Sequence, residues 1–272
     1  MEHVRENEEL DQKHKMELER LIAEVWHTDE IRTERPKPQD EAIWGYAVIE
    51  HSFWHAVPKL WEGLDMMLEQ YTGESLPIEF SPITISSWMG GDRDGNPNVT
   101  TEVTEEVLRL ARWMAADLYL RDLDELLSQL SMSQCNEAVN ELCEKSTHEP
   151  YRSILRRVRD QLNATRDWAE TKYPPKDGII LKKEDLFAPL DTCYRSLHEC
   201  GMGIIADGLL KQTLIRISTF GVTLIDLDIR QSAEKHTDLM EKLIFFLGLG
   251  NYKSWSEKAR HDFLIEELAN KR

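Results

Sequence analysis

The chain has 272 residues, 41% of them hydrophobic, enough apolar material for a substantial core in one large domain or two small ones. Its 50 Asp+Glu outnumber 33 Lys+Arg to give a formal net charge of −17, which argues against a nucleic-acid partner, because neutralising phosphates needs a basic face. Residues Met1 to Glu9 lack the basic and then apolar regions of a signal peptide, and no run of about 18 apolar residues occurs, so the expectation is no membrane span and a cytoplasmic location.

Helical period dominates. Leu18, Leu21, Ile22 and Val25 form one stripe, and Ile43, Ala47, Phe53, Trp54, Val57, Trp61, Leu64 and Leu68 form a second over several turns. After Pro97, the acidic Glu102, Glu105 and Glu106 suit the positive end of a helix dipole, and Val103, Val107, Leu110, Met114 and Leu118 carry that helix toward Leu130. Further helices are expected over Tyr151 to Trp168, Asp185 to Glu199, Leu209 to Ser218 and Ala233 to Leu247, with Gly201 and Gly248 as stops. Ser254 and Glu257 fit a capping box for a last helix. Tyr173-Pro174-Pro175-Lys176-Asp177-Gly178 reads as a loop, and there is no internal repeat. Cys135, Cys143, Cys193 and Cys200 are too few and too scattered for a zinc site or a disulfide framework, so free thiols are expected.

Two segments read as strands, Ile78 to Met89 and Val222 to Arg230. In the first, Ile83, Ile85 and Met89 alternate with Thr84, Ser86 and Trp88; in the second, Thr223, Ile225, Leu227 and Ile229 alternate with Leu224, Asp226, Asp228 and Arg230. One face of each is expected to cover helices and the other to carry chemistry. The first strand runs into Ser87-Trp88-Met89-Gly90-Gly91-Asp92-Arg93-Asp94-Gly95-Asn96-Pro97, a glycine-rich turn with two acids and an arginine. Its glycines permit close backbone approach, Trp88 offers an apolar wall and Arg93 a planar cation. The turn is not a phosphate loop: Gly90 and Gly95 have the spacing, but Asn96 and Pro97 stand where Lys and a hydroxyl are needed. Nor is it an EF-hand, because its sixth position is Pro97 and its twelfth Val103.

This turn, together with Trp26-His27-Thr28-Asp29-Glu30-Ile31-Arg32 before it and Asp226-Leu227-Asp228-Ile229-Arg230-Gln231 after it, closely resembles phosphoenolpyruvate carboxylase in residues, order and approximate spacing. Cys200-Gly201-Met202-Gly203-Ile204-Ile205-Ala206 and Tyr252-Lys253-Ser254-Trp255-Ser256 match too, so the resemblance covers nearly the whole chain. It looks like about a third of a family member, from the first half. The expected fold is a mainly α-helical α/β one: a single partial domain over residues 1–272, part of a (β/α) barrel with many extra helices. Both special segments lie at C-terminal strand ends, where barrel enzymes place catalytic groups. Two strands cannot close a barrel, so the remaining strands are expected outside this chain.

The resemblance implies a carboxy-lyase that joins bicarbonate to phosphoenolpyruvate, giving oxaloacetate and phosphate, with Mg2+ as cofactor and a homotetrameric assembly. It makes Arg230 a catalytic and substrate-binding residue holding the anionic substrate, a task suited to a guanidinium fork. It makes Trp88 part of an apolar pocket around the substrate's methylene carbon, where water must be excluded from the enolate. Gly90, Gly91, Asp92, Arg93, Asp94, Gly95 and Asn96 are expected to shape the loop: Asp and Asn bond their own turn backbone, and Arg93 pairs with either acid. The family's catalytic His-Pro-Thr-Glu, its lysine, its metal-binding acids and its Gly-Arg-Gly-Gly loop are not in these residues, so no metal ligand is assigned and the isolated chain is expected to be inactive.

Without the resemblance, Arg230 would be an ion-pair partner of Asp226 on the same face, and Trp88 a core residue. Asp226 and Asp228, two acids on one strand, are weak as a metal site. Trp26, His27 and Arg32 receive no role. Two other readings are a stand-alone acidic helical scaffold for partner proteins and a phosphocarboxylate-binding remnant that retains only Arg230.

Overall fold

The computed structural model describes residues 2–28, 36–143, 147–171 and 178–270, with side chains from residue 12 onward. Arg32 and the expected loop residues 173–177 fall outside the described residues. The chain divides into two units, Met1–Pro36 and Lys37–Arg272. The first holds one helix, α1 (Glu2–His27), on which Leu18, Leu21, Ile22 and Val25 form an exposed stripe.

The second unit is mostly helical. Helix α2 (Pro38–Val48) runs through a π-helical turn, Ile49–Phe53, into α3 (Trp54–Thr72). Besides Pro38 and Pro58, the residues this long helix buries are Ala42, Tyr46, Ile49, Trp54, Val57 and Trp61. The wider step from Ile49 to Trp54 is the π turn, which rotates α3 by one residue relative to α2. For that reason Ile43 and Phe53, expected on the buried stripe, are exposed, as is Leu64 beyond them. Pro58 lies inside α3 and has no N–H for the Trp54 carbonyl; the buried Arg216 donates its Nε–H there instead, at 2.9 Å.

Helix α4 (Thr101–Gln129) is the central element, packed on α6 (Pro150–Thr171), α2 and α9 (Leu209–Phe220). It starts where Thr100 Oγ1 accepts the Val103 N–H at 3.3 Å. Its buried set broadens from Thr104, Val107 and Ala111 to both sides of the helix by Leu118–Leu123. Thr100→Ala is expected to cost about 1 kcal/mol of stability through this lost cap, measured as a shift in the denaturant midpoint. A short α5 (Glu137–Leu142) precedes α6, and α7 (Lys183–Glu199) packs on α9 with the one-turn α8 (Gly203–Ala206) between them.

The expected stops are present in full. After α7, Gly201 has φ +77, with Met202 N–H on Leu197 O and Gly201 N–H on His198 O; after α10 (Ala233–Phe246), Gly248 has φ +70, with Leu249 N–H on Ile244 O and Gly248 N–H on Phe245 O. Both are double-bonded left-handed caps that require a residue tolerant of positive φ. The expected cap of the last helix shifts by two residues. Ser254 ends a 3₁₀ turn, Tyr252–Ser254, and Ser256 caps α11 (Glu257–Leu268) by accepting the Ala259 N–H at 3.2 Å. The four cysteines are free, and burial pushes the Cys193 thiol up to about 12.

The strands are much shorter than expected: β1 is Ser86–Ser87 and β2 is Asp226–Leu227. They pair with each other in parallel, Ser86 opposite Asp226 and Ser87 opposite Leu227. A barrel is therefore not seen among the described residues, and the expected αβ architecture reduces to helices around one two-stranded ribbon. Earlier in the first segment, side chains take the backbone carbonyls that a strand partner would use. Ser218 Oγ donates to Ile78 O (3.0 Å), Trp61 Nε1 to Phe80 O (2.9 Å) and Ser81 Oγ to Ile83 O (2.7 Å). In the second, Leu224 has φ +63 and the Ile225 N–H bonds Thr223 O at 2.7 Å, a γ-turn that breaks the alternation. Leu224, expected on the chemical face, is consequently fully buried.

Candidate functional site

The glycine-rich turn is wedged between α2 and α4. Met89 packs on Gly45 of α2, where a Cβ would collide with its terminal methyl. Gly90 has φ +79, and a Cβ there would lie 2.6 Å from Val107 Cγ2 of α4. The N–H groups of Gly91 and Asp92 both bond the Trp88 carbonyl at 2.9 Å. This closes a tight turn that throws the Trp88 indole outward, 60% exposed, so the core reading of Trp88 does not hold. Beneath the turn, the Thr104 hydroxyl donates to Gly90 O (2.8 Å) and accepts from Arg93 Nη2 (3.1 Å). Arg93 thus ties the turn to the first turn of α4, instead of pairing with Asp92 or Asp94 as expected.

The parallel pairing of β1 and β2 resumes past the turn, its register shifted by two residues. Asp228 N–H bonds Ser87 O at 2.8 Å, Arg230 N–H bonds Gly91 O at 3.0 Å, and Arg93 N–H bonds Arg230 O at 2.9 Å. Trp88 to Gly91 is therefore a loop extruded between two stretches of one parallel ladder, with Asp92 opposite Arg230. Gly91 is at the closest point: its Cβ would fall inside the contact distance of the Asp228 carbonyl oxygen.

Arg230 pairs with Asp92, Nη1 to Oδ2 at 3.5 Å, and not with Asp226. The turn's own short polar side chains behave as expected at two positions: Asp92 Oδ1 accepts the Asp94 N–H at 3.2 Å and Asn96 Oδ1 accepts the Asn98 N–H at 3.0 Å. Gly95 supplies φ +74 in open space. Asp228 accepts the Ser86 hydroxyl at 3.1 Å across the strands.

The structure thus brings Arg230 and the loop residues Gly90 to Arg93 into one ladder whose extruded turn carries Trp88. It leaves Trp26 and His27 in the separate first unit, Trp26 being 82% exposed. Magnesium finds no ligand set here: among the described residues no group of three or more His, Cys, Asp or Glu is arranged to hold an ion. No helix among them is long and apolar enough to cross a membrane. The sequence reading missed Thr104. Its signal was a small polar residue on the inward stripe of a helix, between Val103 and Val107, where a lone hydroxyl needs buried partners.

The family model for phosphoenolpyruvate carboxylase matches residues 1–272. A phosphoenolpyruvate carboxylase of Pseudomonas putida is 54% identical over 259 residues, covering 94% of this chain and 30% of the relative. Those of Pseudomonas entomophila and Marinobacter nauticus are 53% and 54% identical over the same length, covering 30% and 29% of the relatives. The chain thus spans about three-tenths of the length of the curated relatives it matches. A match running through every residue, with more than half the aligned positions identical, means that the chain belongs to the phosphoenolpyruvate carboxylase family.

Proposed function

We infer that this chain supplies the phosphoenolpyruvate-facing edge of a phosphoenolpyruvate carboxylase, with Arg230 and Trp88 as its contributions. The observation that carries this reading is the parallel ladder, which joins Arg230 to the turn that presents Trp88 at the C-terminal ends of two neighbouring strands. In α/β enzymes that end of a parallel sheet is where ligands bind. The two strands are then adjacent members of a larger parallel barrel completed by segments outside these residues.

In the reaction the family performs, bicarbonate oxygen attacks the phosphorus of phosphoenolpyruvate. The enolate oxygen leaves with the bonding pair, and carboxyphosphate forms. Carboxyphosphate releases carbon dioxide and phosphate, and the enolate carbon captures the carbon dioxide as oxaloacetate. Arg230 would hold the substrate's phosphate or carboxylate by two parallel N–H bonds, which a lysine cannot reproduce. Trp88 would cover the methylene carbon, so that the enolate meets carbon dioxide and not a proton from water. The remaining catalytic groups, the family's Mg2+ site, a cytoplasmic setting and a homotetrameric assembly belong to the same reading and lie with the rest of such an enzyme.

The test exchanges the matching 259 residues of the Pseudomonas putida relative for this chain. In that enzyme Arg230→Gln is expected to lower kcat/KM for phosphoenolpyruvate about 100-fold, the scale of a lost charge-assisted bidentate contact, with Arg230→Lys recovering only part. An unchanged kcat/KM in Arg230→Gln would exclude Arg230 from the substrate site.

A further inference from the structure

The arrangement around Arg230 contains a device that the substrate reading alone does not require. Asp92 uses its two carboxylate oxygens differently. Oδ1 is fixed by the Asp94 N–H, within the turn, and Oδ2 faces Arg230 Nη1. The backbone on either side is pinned as well, by Arg230 N–H on Gly91 O and by Arg93 N–H on Arg230 O. The two Cα positions therefore cannot drift apart, and the carboxylate cannot rotate without giving up its turn bond. The Asp92 side chain is 29% exposed while that of Arg230 is 60% exposed, so the acid sits at the base of the guanidinium and leaves much of it open to solvent.

We propose that Asp92 is a positioning residue that aims the Arg230 guanidinium at the anionic substrate through the turn-anchored carboxylate. This rests on the reading of Arg230 as the substrate's cation. A free arginine side chain explores many rotamers, and binding an anion must freeze them; a carboxylate that occupies one edge of the fork freezes part of them beforehand. The same pairing explains why a loop with two acids can border a site for a trianionic substrate. The Asp92 charge is spent on Arg230, and the oxygen nearest the turn already accepts an N–H.

The test is a double-mutant cycle in the exchanged enzyme described above. Asp92→Asn keeps the Oδ1 acceptor and the turn but removes the charge that holds Arg230. It is expected to raise KM for phosphoenolpyruvate about fivefold, the upper range for a partly exposed ion pair, with kcat within twofold of the parent. In the Arg230→Gln background the same change is expected to leave KM where Arg230→Gln alone puts it, since Asp92 acts only through Arg230. Effects that multiply, or an unchanged KM in Asp92→Asn beside a raised KM in Arg230→Gln, would overturn the positioning role while leaving Arg230 in the site. An unchanged KM in Arg230→Gln would overturn the substrate reading and this proposal with it. A second readout needs no turnover: in the ¹⁵N-labelled chain, Asp92→Asn is expected to shift and broaden the Arg230 Nε–Hε resonance, and Asp94→Asn to leave it in place. A resonance insensitive to Asp92→Asn would overturn the proposal.

Discussion

Arg216→Leu is expected to lower the unfolding free energy by about 3–5 kcal/mol at neutral pH, the cost of stranding a buried charge by removing its partner. Arg216 on α9 meets Asp122 on α4 at 2.7 Å, with the two side chains 5% and 11% exposed. The same guanidinium serves the Trp54 carbonyl that Pro58 leaves free, and it lies 5.3 Å over the Trp54 ring. Trp54 in turn stacks on Phe220 and tilts against Tyr119, so one side chain joins α3, α4 and α9. In the leucine variant Asp122 keeps the Thr213 hydroxyl, at 3.3 Å, and the Trp54 side chain as hydrogen-bond partners but no cation.

The pH dependence follows from the same contacts. Burial pushes the Asp122 carboxyl above the usual carboxylate range, and Arg216 opposes that rise. A carboxyl whose folded value lies above its unfolded one binds its proton more tightly when folded. Its favourable contribution is complete below the unfolded value and is lost as pH rises through the folded one. Without Arg216 the folded value climbs further, so the deficit of Arg216→Leu should be largest near pH 7 and shrink as the pH is lowered and Asp122 takes up its proton. Adding Asp122→Asn to Arg216→Leu should recover part of the loss at neutral pH. Urea titrations of the parent, Arg216→Leu and the double variant at neutral and at acidic pH measure this; a deficit below about 1 kcal/mol at pH 7 would mean that the ion pair contributes little.

What could be read from the sequence was set by how local each determinant is. Helix α4 was legible because its acidic start and the beginning of its apolar stripe lie within one short window, Glu102 to Val107, whereas its Thr100 cap was not singled out. The stops at Gly201 and Gly248 were legible because a left-handed cap is a local demand on one residue. The phase of α2 and α3 was not: a π turn at Ile49–Phe53 changes no residue type, only which side faces inward. Strand length failed for a related reason. The direction in which Trp88 leaves β1 follows from alternation, but how far a strand extends depends on its partner, and here Trp61, Ser81 and Ser218 claim the carbonyls first. The partner of Arg230 was hidden because Asp226 is near in sequence while Asp92 is near only once the ladder has formed. Arg93 likewise reaches past its acidic neighbours to Thr104, a hydroxyl that becomes a partner only when α4 packs under the turn.

The glycines of the turn should separate by mechanism, and the largest losses are expected at Gly90 and Gly91. Gly90→Ala combines an unfavourable φ of +79 with a collision against Val107, a valine of the central helix that is itself fully buried. About 1–2 kcal/mol for the backbone and about 1–3 kcal/mol for overpacking give an expected loss of roughly 2–5 kcal/mol. Gly91→Ala meets no backbone objection, since its φ is not positive, but its methyl group would press on the Asp228 carbonyl, which is backbone and cannot swing away. The strand must move, and the bonds from Arg230 N–H to Gly91 O and from Arg93 N–H to Arg230 O go with it. Gly91→Ala is therefore expected to cost about 1–3 kcal/mol and, in the exchanged enzyme, to raise KM for phosphoenolpyruvate as Arg230→Gln does. Gly95→Ala, with φ +74 in open space, is expected to cost only the backbone contribution of about 1–2 kcal/mol and to leave KM unchanged. Thermal unfolding together with KM for the three variants decides the matter. If Gly91→Ala and Gly95→Ala behaved alike, the ladder between the turn and Arg230 would not be what holds the site in place.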